Sequence, residues 1–188
     1  ISQQLPLRTL WIHLSGIKKM TKDTETLKHS APLHTEEGKE PRATQRKEKA
    51  FVVKVGGAVV EDEAQLSRLI SDFSALPGRK VLVHGGGRRA TKVAAALGIE
   101  SRMVGGRRIT DADMLDVVTM VYGGLVNKNI VAQLQAAGVN ALGLTGADID
   151  VIRSHKRPLK DGIDFGFVGD VDRANGRMLS TLIEEGIT

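Results

Sequence analysis

The sequence predicts an α/β fold, a three-layer sandwich in which helices cover both faces of a mainly parallel sheet. Three observations point to this fold. Residues 51–55 are an apolar, β-branched run ending at a glycine pair, which is typical of a strand. Residues 66–73 then repeat apolar side chains with helical spacing, and residues 81–83 are a second strand-like run. Strand, helix and strand in this order predict a right-handed crossover between two parallel strands.

The middle of the chain adds a helix, a hairpin and a longer helix. An alanine-rich helix is predicted over residues 88–97, followed by a hairpin over 101–110 that turns at a glycine pair. Thr110 is predicted to cap a helix over residues 111–137, with Asp113 as its capping-box partner, and a second glycine pair is predicted to bend that helix. The predicted buried stripe contains Met114, Val117, Val118, Val121 and Leu125.

The last third of the chain predicts three strands and one helix. The strands are expected at residues 140–144, 151–154 and 165–172, and Asn175 is expected to cap the helix that follows. The side chains predicted to face inward from this helix are Leu179, Leu182 and Ile183. A doubly wound sheet rarely stops after such a helix, so we expect the fold to be truncated at its C-terminus.

Charge and composition separate the first 50 residues from the rest. Residues 1–50 carry ten Lys/Arg and six Asp/Glu, whereas the remaining residues carry 17 and 16 and are nearly neutral. Residues 1–50 are therefore predicted to be a disordered or non-native leader, and residues 51–188 the folded part. The folded part therefore lacks the excess of positive charge that would favour nucleic-acid binding. Binding through the basic leader stays an alternative, to be recognised by a steep salt dependence that disappears on deletion of the leader.

The absence of cysteine excludes disulfides and thiolate metal sites, and it fits a reducing compartment. We therefore expect a cytoplasmic protein. The apolar run at residues 5–17 is too short to span a membrane, so no membrane association is expected.

The junction between the second strand and its helix is the first candidate binding site. His84 and three consecutive glycines, Gly85, Gly86 and Gly87, stand there. Glycines let a ligand approach the main-chain N–H groups, and a helix N-terminus favours an anion. This pattern predicts a cradle for a phosphate or a carboxylate; the alternative is a plain tight turn.

Lys54 is the second candidate, because a lysine inside an apolar strand is costly unless its ammonium reaches water or an anion. It stands just before Gly56 and Gly57, at the end of the strand where ligands bind in α/β sheets. Lys54 and the glycine cradle would then suit a phosphoryl group together. The alternative is a lysine that snorkels from a strand end. Neither nucleotide fingerprint, G-x-x-x-x-G-K-[ST] or G-x-G-x-x-G, is present.

These residues, in their order along the chain, resemble the amino-acid kinase family and, within it, the N-acetylglutamate kinases. The resemblance covers residues 51–188. The segments that carry it are Lys54-Val55-Gly56-Gly57, His84-Gly85-Gly86-Gly87, Gly106-Arg107-Arg108-Ile109-Thr110, Ala141-Leu142-Gly143-Leu144-Thr145-Gly146-Ala147-Asp148 and Gly166-Phe167-Val168-Gly169-Asp170-Val171.

The resemblance implies ATP-dependent phosphorylation of the side-chain carboxylate of N-acetyl-L-glutamate in arginine biosynthesis, with ATP and Mg²⁺ as cofactors. Lys54 would be the catalytic residue, stabilising charge on the phosphoryl group, and Gly56, Gly57 and Gly86 would bind phosphate. Gly86, Gly87 and Arg108 would bind the substrate, with Arg108 on the α-carboxylate. His84 would be structural, since an ionised carboxylate needs no general base.

The resemblance also implies a homodimer, packed through the helix over residues 111–137. Most of the family's nucleotide site lies in a later part of its chains, so residues 51–188 would be the acylglutamate-binding lobe. The 188-residue chain is therefore expected to bind its substrate weakly and not to turn over ATP. Asp148 and Asp170 fit magnesium by residue type only, so no metal ligand is assigned.

Two alternatives stay open. One is a non-catalytic, amino-acid-binding regulatory module of the same fold, against which the presence of Lys54 argues. The other is a kinase for N-succinyl-L-glutamate, because the acyl pocket is only partly visible in the sequence. Arginine feedback cannot be judged from these residues.

Overall fold

The computed structural model describes residues 49–188, so nearly all of the predicted leader lies outside the described residues. Within that part, the α/β class with a parallel sheet is confirmed. No helix in residues 49–188 combines the length and the apolar character that crossing a membrane requires.

Two parallel strands form the base of the site. Strand β1 (Phe51–Val55) has the predicted bounds, and it pairs in parallel with β2 (Lys80–His84). Between them lie the short helix α1 (Gly57–Glu61) and the helix α2 (Glu63–Ala75). Apolar residues on one side of α2 pack into the core, as its spacing predicts.

Helix α3 (Gly87–Ala96) follows β2, and a small antiparallel hairpin follows α3. The hairpin consists of β3 (Met103–Val104) and β4 (Arg107–Arg108). Its turn residues, Gly105 and Gly106, have φ angles of 55° and 76°, which is the conformation that the glycine pair predicts.

The predicted helix over residues 111–137 is observed in three parts. These are α4 (Ala112–Val118), a π-helix (Thr119–Val126) and α5 (Asn127–Ala136). The predicted cap is wrong: Asp111, not Thr110, accepts a hydrogen bond from the backbone N–H of Met114, at 3.0 Å. Thr110 is committed elsewhere, because its backbone N–H and C=O bond to residues 165 and 167.

The buried stripe of this segment is also shifted by one residue. Leu125 was predicted to be buried but is 48% exposed, whereas Val126 is 5% exposed. A π-helix repeats after five residues rather than four. Val121 is therefore followed on the buried face by Val126, and Leu125 is turned outward.

The C-terminal part contains an antiparallel hairpin of β5 (Ile152–Lys156) and β6 (Gly169–Ala174), preceded by a 3₁₀ turn at Asp148–Asp150. Helix α6 (Gly176–Glu184) begins, as predicted, at Asn175, whose side chain accepts from the backbone N–H of Met178.

The predicted strand at residues 140–144 does not join a sheet among the described residues. Its backbone is bonded instead to Thr188, which accepts from Leu142 N–H at 2.8 Å and donates to the Asn140 carbonyl at 2.9 Å. Two further carbonyl groups of this segment accept hydrogen bonds from side chains of α5. Gln135 donates to the carbonyl of Ala141, and Lys128 donates to that of Gly143.

One core cluster joins α2, α3, the 112–136 helical segment and residue 141. Its side chains are mostly aliphatic, as the low aromatic content of 3% requires, with Phe73 and Met114 among the largest fully buried ones. Gly166 fixes the β5–β6 region against this body. Its φ is +72°, and a Cβ atom there would collide with the carbonyl of Thr110, so glycine is required.

Candidate active site

The two glycine turns lie side by side at the carboxyl ends of β1 and β2. The parallel register pairs Val55 with His84, so both strands end at the same level. A Cβ atom on Gly57 would lie 4.0 Å from the backbone nitrogen of Gly87, and one on Gly85 would lie 3.9 Å from the backbone nitrogen of Gly57. The main-chain amides of the two turns are therefore neighbours.

Helices α1 and α3 begin at these two turns without a side-chain cap. The N-cap residues are Gly56 for α1 and Gly86 for α3, and neither helix has a side chain that caps its first N–H groups. The two helices are tied together by an ion pair between Lys92 and Glu61, at 2.8 Å. The N-terminus of α3 lies next to the turn at Gly57 and is of a kind that favours an anion, while Gly86 itself is buried beneath the Tyr122 ring.

Lys54 lies at the same end of the sheet. It is paired in register with Val83, one residue before both strands end, and its side chain is exposed. Within residues 49–188 its ammonium has no hydrogen-bond or ion-pair partner. The parallel register thus brings Lys54, Gly57 and Gly86 to one edge of the sheet.

Arg108 connects the β3–β4 hairpin to the start of α3. One terminal nitrogen, Nη2, donates to the Gly87 carbonyl at 2.9 Å and to Thr91 Oγ1 at 2.8 Å. The other, Nη1, donates to Ser101 Oγ at 3.1 Å and contacts Met114 Sδ at 3.3 Å. The guanidinium group is therefore held beside the third glycine of the cradle, with the hydrogens of both terminal nitrogens directed at these protein groups.

Tyr122 closes the other side of the cradle. Its ring atoms Cδ1 and Cε1 lie 2.7 and 3.0 Å from the position that a Cβ atom on Gly86 would take. Its hydroxyl oxygen lies 3.4 Å from the corresponding position on Gly87. Burial raises the pKa of Tyr122, and the positive charge of Arg108 acts in the opposite direction. The hydroxyl is thus a neutral O–H near a cation.

His84 is fixed by hydrogen bonds on both ring nitrogens. Nδ1 lies 3.0 Å from the Gly85 carbonyl, and Nε2 lies 3.1 Å from the side-chain nitrogen of Asn127. A carbonyl only accepts and an amide nitrogen only donates, which assigns the proton to Nδ1. Asn127 is 6% exposed, and its Oδ1 has no hydrogen-bond partner among the described residues. These contacts support a structural role for His84.

A cavity lies next to this edge, not on it. It has a volume of 340 Å³ and lies between β2, the helical segment 119–136, residues 141–147 and α6. Its walls are mainly apolar, and its polar lining residues are His84, Tyr122, Asn127, Thr145 and Thr188. The inward-facing residues predicted for α6 line it: Leu179, Leu182 and Ile183.

None of the six predicted site residues lines that cavity. These residues are Lys54, Gly56, Gly57, Gly86, Gly87 and Arg108. Tyr122 forms a wall shared by the cavity and the cradle.

The two aspartates that fit magnesium by residue type, Asp148 and Asp170, have protein partners in the structure. No group of three His, Asp or Glu side chains converges in residues 49–188. Asp148 accepts hydrogen bonds from the backbone and hydroxyl of Thr145, and Asp170 accepts from Arg157. Asp148 is thus a turn residue, and Asp170 is the partner of an arginine in an ion pair.

Residues 49–188 match the amino acid kinase family along their whole length. This chain belongs to that family. Acetylglutamate kinase of Bacteroides fragilis is 69% identical over 141 residues, which are 75% of this chain and 54% of the relative. Acetylglutamate kinase of Phocaeicola vulgatus is 67% identical over the same shares of both chains. The chain thus spans about half the length of these relatives.

A solved structure supports the fold of this family member. The crystal structure of smu.665 from Streptococcus mutans UA159 superposes with a TM-score of 0.61 at 26% identity, covering 73% of this chain and 56% of that one.

The sequence analysis named most of the groups at this sheet edge but missed Tyr122 and Asn127, which lie beside it. Both stand in a helical stretch whose apolar spacing draws attention to its core residues. Tyr122 could have been noticed, because it is the sole tyrosine of the chain and stands beside Gly123 and Gly124.

Proposed function

We propose that residues 49–188 hold the N-acylglutamate and the transferring phosphoryl group in an ATP-dependent kinase. The reaction is the phosphorylation of the side-chain carboxylate of N-acetyl-L-glutamate in arginine biosynthesis. A carboxylate oxygen forms a bond to the γ-phosphorus of ATP, the bond to the ADP oxygen breaks, and an acyl phosphate and ADP result. The proposal is supported by the position of Lys54 near the end of β1, by the two adjacent glycine turns that follow β1 and β2, and by the contact of Arg108 with Gly87.

Each group has a role that its chemistry supports. The ammonium of Lys54 stabilises charge on the phosphoryl oxygens, and the turns at Gly56–57 and Gly86 supply main-chain N–H donors. Gly86 and Gly87 line the substrate site, and Arg108 binds the α-carboxylate with a planar pair of donors. Because the attacking carboxylate is already ionised, the reaction needs no general base.

ATP is a substrate in this proposal, and its Mg²⁺ would enter with the nucleotide rather than through a cluster in residues 49–188. The lack of cysteine supports a cytoplasmic setting. A homodimer through the π-helical face is supported by two exposed apolar side chains, Met120 at 53% and Leu125 at 48%. Light scattering of the chain and of a Leu125→Glu variant tests it: loss of the dimer in the variant is expected, and a monomeric parent chain would contradict it.

Calorimetric binding tests the substrate assignment. N-acetyl-L-glutamate, N-succinyl-L-glutamate and L-glutamate are titrated into the 188-residue chain. We expect the N-acetyl compound to bind and free glutamate to bind more weakly. Tighter binding of the N-succinyl compound would move the assignment to that substrate, and binding of none would contradict the proposal.

Lys54→Met separates a kinase from a binding module. Activity is measured as ADP release by a fusion of this chain with the unmatched part of the Bacteroides fragilis relative. We expect kcat to fall by about 100- to 1,000-fold, the usual effect of removing one group that stabilises transition-state charge. The control is Lys160→Met, in the loop between β5 and β6. An unchanged kcat in Lys54→Met would contradict the catalytic role and favour the regulatory module.

A further inference from the structure

Thr188 forms the first step of a parallel β-ladder with the segment that the sequence predicts as a strand. Its N–H donates to the Asn140 carbonyl at 2.9 Å, and its carbonyl accepts from the Leu142 N–H at 2.8 Å. One residue bonded in this way to both neighbours of Ala141 is the pattern of parallel strands. The next groups on this edge are the Leu142 carbonyl and the Leu144 N–H, and neither has a hydrogen-bond partner among the described residues.

Strand β2 has an edge of the same kind. The bond from the Phe51 N–H to the Arg79 carbonyl fixes the alternation of backbone groups along this strand. It turns the N–H and C=O groups of Val83 towards β1, and those of Leu82 and His84 to the other side. Within residues 49–188, β1 is the sole strand that pairs with β2.

The 340 Å³ cavity lies between these two edges. Residues 81–84 and 141–147 line it without a break, as expected where a chain presents its edge rather than one face. Asn127 contacts both sides, since its side-chain nitrogen lies 3.1 Å from His84 Nε2 and its Oδ1 occupies the space of a Cβ atom on Gly143. The carboxyl ends of both segments therefore lie at the same end of the cavity.

Helix α6 lies over this cavity without being buried. Its apolar side chains Leu179, Leu182 and Ile183 line the cavity, yet no residue of the helix is buried. A helix in a protein is stabilised mainly by packing of its apolar face. An apolar strand in the cavity would cover that face and would also bond the open N–H and C=O groups on both edges.

We propose that the gap between β2 and residues 140–144 binds one further β-strand, and that its occupant is the polypeptide that follows Thr188 in a longer chain of this family. The matched region is 54% of the Bacteroides fragilis relative, so that chain has further segments. The ladder leads from Asn140 towards Thr145, and about five residues cover this distance. The added strand would be apolar on both faces and would end beside His84, next to the glycine cradle.

Amide hydrogen exchange measured by NMR tests this inference, which does not depend on the proposed reaction. The 188-residue chain is compared with its fusion to the unmatched part of the Bacteroides fragilis relative, joined after Thr188. In the fusion, we expect the ratio of the Leu82 exchange rate to the Val83 rate to fall by about 100-fold. This ratio cancels a general gain in stability, because Val83 is bonded to β1 in both chains. An unchanged ratio would overturn the inference.

A substitution on α6 tests the same strand through packing. Leu182→Ala should raise the equilibrium constant of unfolding about tenfold more in the fusion than in the 188-residue chain, because only the fusion packs a strand on Leu182. Met178→Ala is the matched control, since Met178 is on the same helix, 37% exposed and outside the cavity wall. It should affect both chains alike. Equal effects of Leu182→Ala in the two chains would contradict the added strand.

Other occupants of the gap give different results. Protection of Leu82 that needs a high concentration of the 188-residue chain and is absent from the fusion would indicate a second copy. An apolar dye, anilinonaphthalene sulfonate, that binds the fusion as well as the 188-residue chain would indicate a cavity for a small ligand. Either result would overturn the inference. Protection of Leu82 in a fusion that releases no ADP would contradict the proposed function and leave the added strand standing.

Discussion

Replacing Arg108 by lysine keeps its charge and removes its geometry. In the structure the guanidinium group joins three elements: Nη2 donates to Gly87 and Thr91 on α3, and Nη1 donates to Ser101 ahead of the hairpin. A lysine ammonium is a point charge on a flexible stem. It can reach one of these partners but cannot span both sides or present two parallel donors to a carboxylate.

The size of the effect follows from these contacts. A carboxylate that loses one of two charge-assisted hydrogen bonds loses about 1.5–3 kcal/mol, which raises the Kd by roughly 10- to 150-fold. In the absence of ligand, the substitution removes the two shortest hydrogen bonds of Arg108, at 2.8 and 2.9 Å. Their loss costs about 1–2 kcal/mol of stability, or about 2–8 °C in thermal midpoint for a domain of this size.

Titration calorimetry with N-acetyl-L-glutamate measures the affinity, and a thermal melt measures the stability. Arg107→Lys is the matched control, because Arg107 precedes Arg108 on β4 and its side chain points to the opposite face of the strand. We expect the control to bind like the parent chain. An Arg108→Lys variant whose Kd stays within about twofold of the parent would refute the carboxylate assignment, because a charge-only contact would have sufficed.

Two further predictions concern stability. Gly166→Ala should destabilise the chain by about 2–5 kcal/mol in urea unfolding, because the new Cβ combines left-handed strain with a collision at the Thr110 carbonyl. Gly162→Ala has a similar φ of +74° but open space around it, so it should cost only about 1 kcal/mol; equal losses would show that the collision is relieved. The hydrogen bond from Arg157 holds the pKa of Asp170 below its ordinary value of 3.8, so its carboxylate stabilises the fold above that value and stops doing so as pH falls through the folded pKa. Asp170→Asn should therefore lower the urea midpoint at about pH 7, by a small amount because the pair is partly exposed, and the difference should shrink as the pH falls below 3.8; a pH-independent difference would contradict the assignment.

Elements whose signals are local were predictable from the sequence. Strand β1 was predicted with its observed bounds because its residues and the glycines that end it suffice to define it. The hairpin turn at Gly105 and Gly106 and the cap at Asn175 depend equally on adjacent residues. Their local preference agrees with the tertiary structure, so nothing overrides it.

The wrong predictions concern segments whose structure depends on residues outside the local window. Thr110 has the chemistry of a cap, but its backbone is paired with residues 165 and 167, and Asp111 takes over the cap. Residues 140–144 have strand composition, yet their carbonyls are bonded by Gln135 and Lys128 from α5. Neither outcome can be derived from a local window, because each depends on a partner from another part of the chain.

The glycines of the site could be read from the sequence, whereas the aromatic ring that covers Gly86 could not. Glycine is readable in sequence because its lack of a Cβ atom has few uses, and at Gly86 the use is visible: the Tyr122 ring takes the space of a side chain. Tyr122 is not readable in the same way, because it stands four residues after the buried Val118, where helical spacing indicates a core position rather than a place beside the glycines. The π-helix changes the residue that follows: Val126, five residues after Val121, is buried in place of Leu125. Deleting Gly124, which has open space at its Cβ position, would place Val126 four residues after Val121, so we expect a regular helix in which Val126 stays buried. A urea midpoint far below that of the parent chain would contradict this expectation.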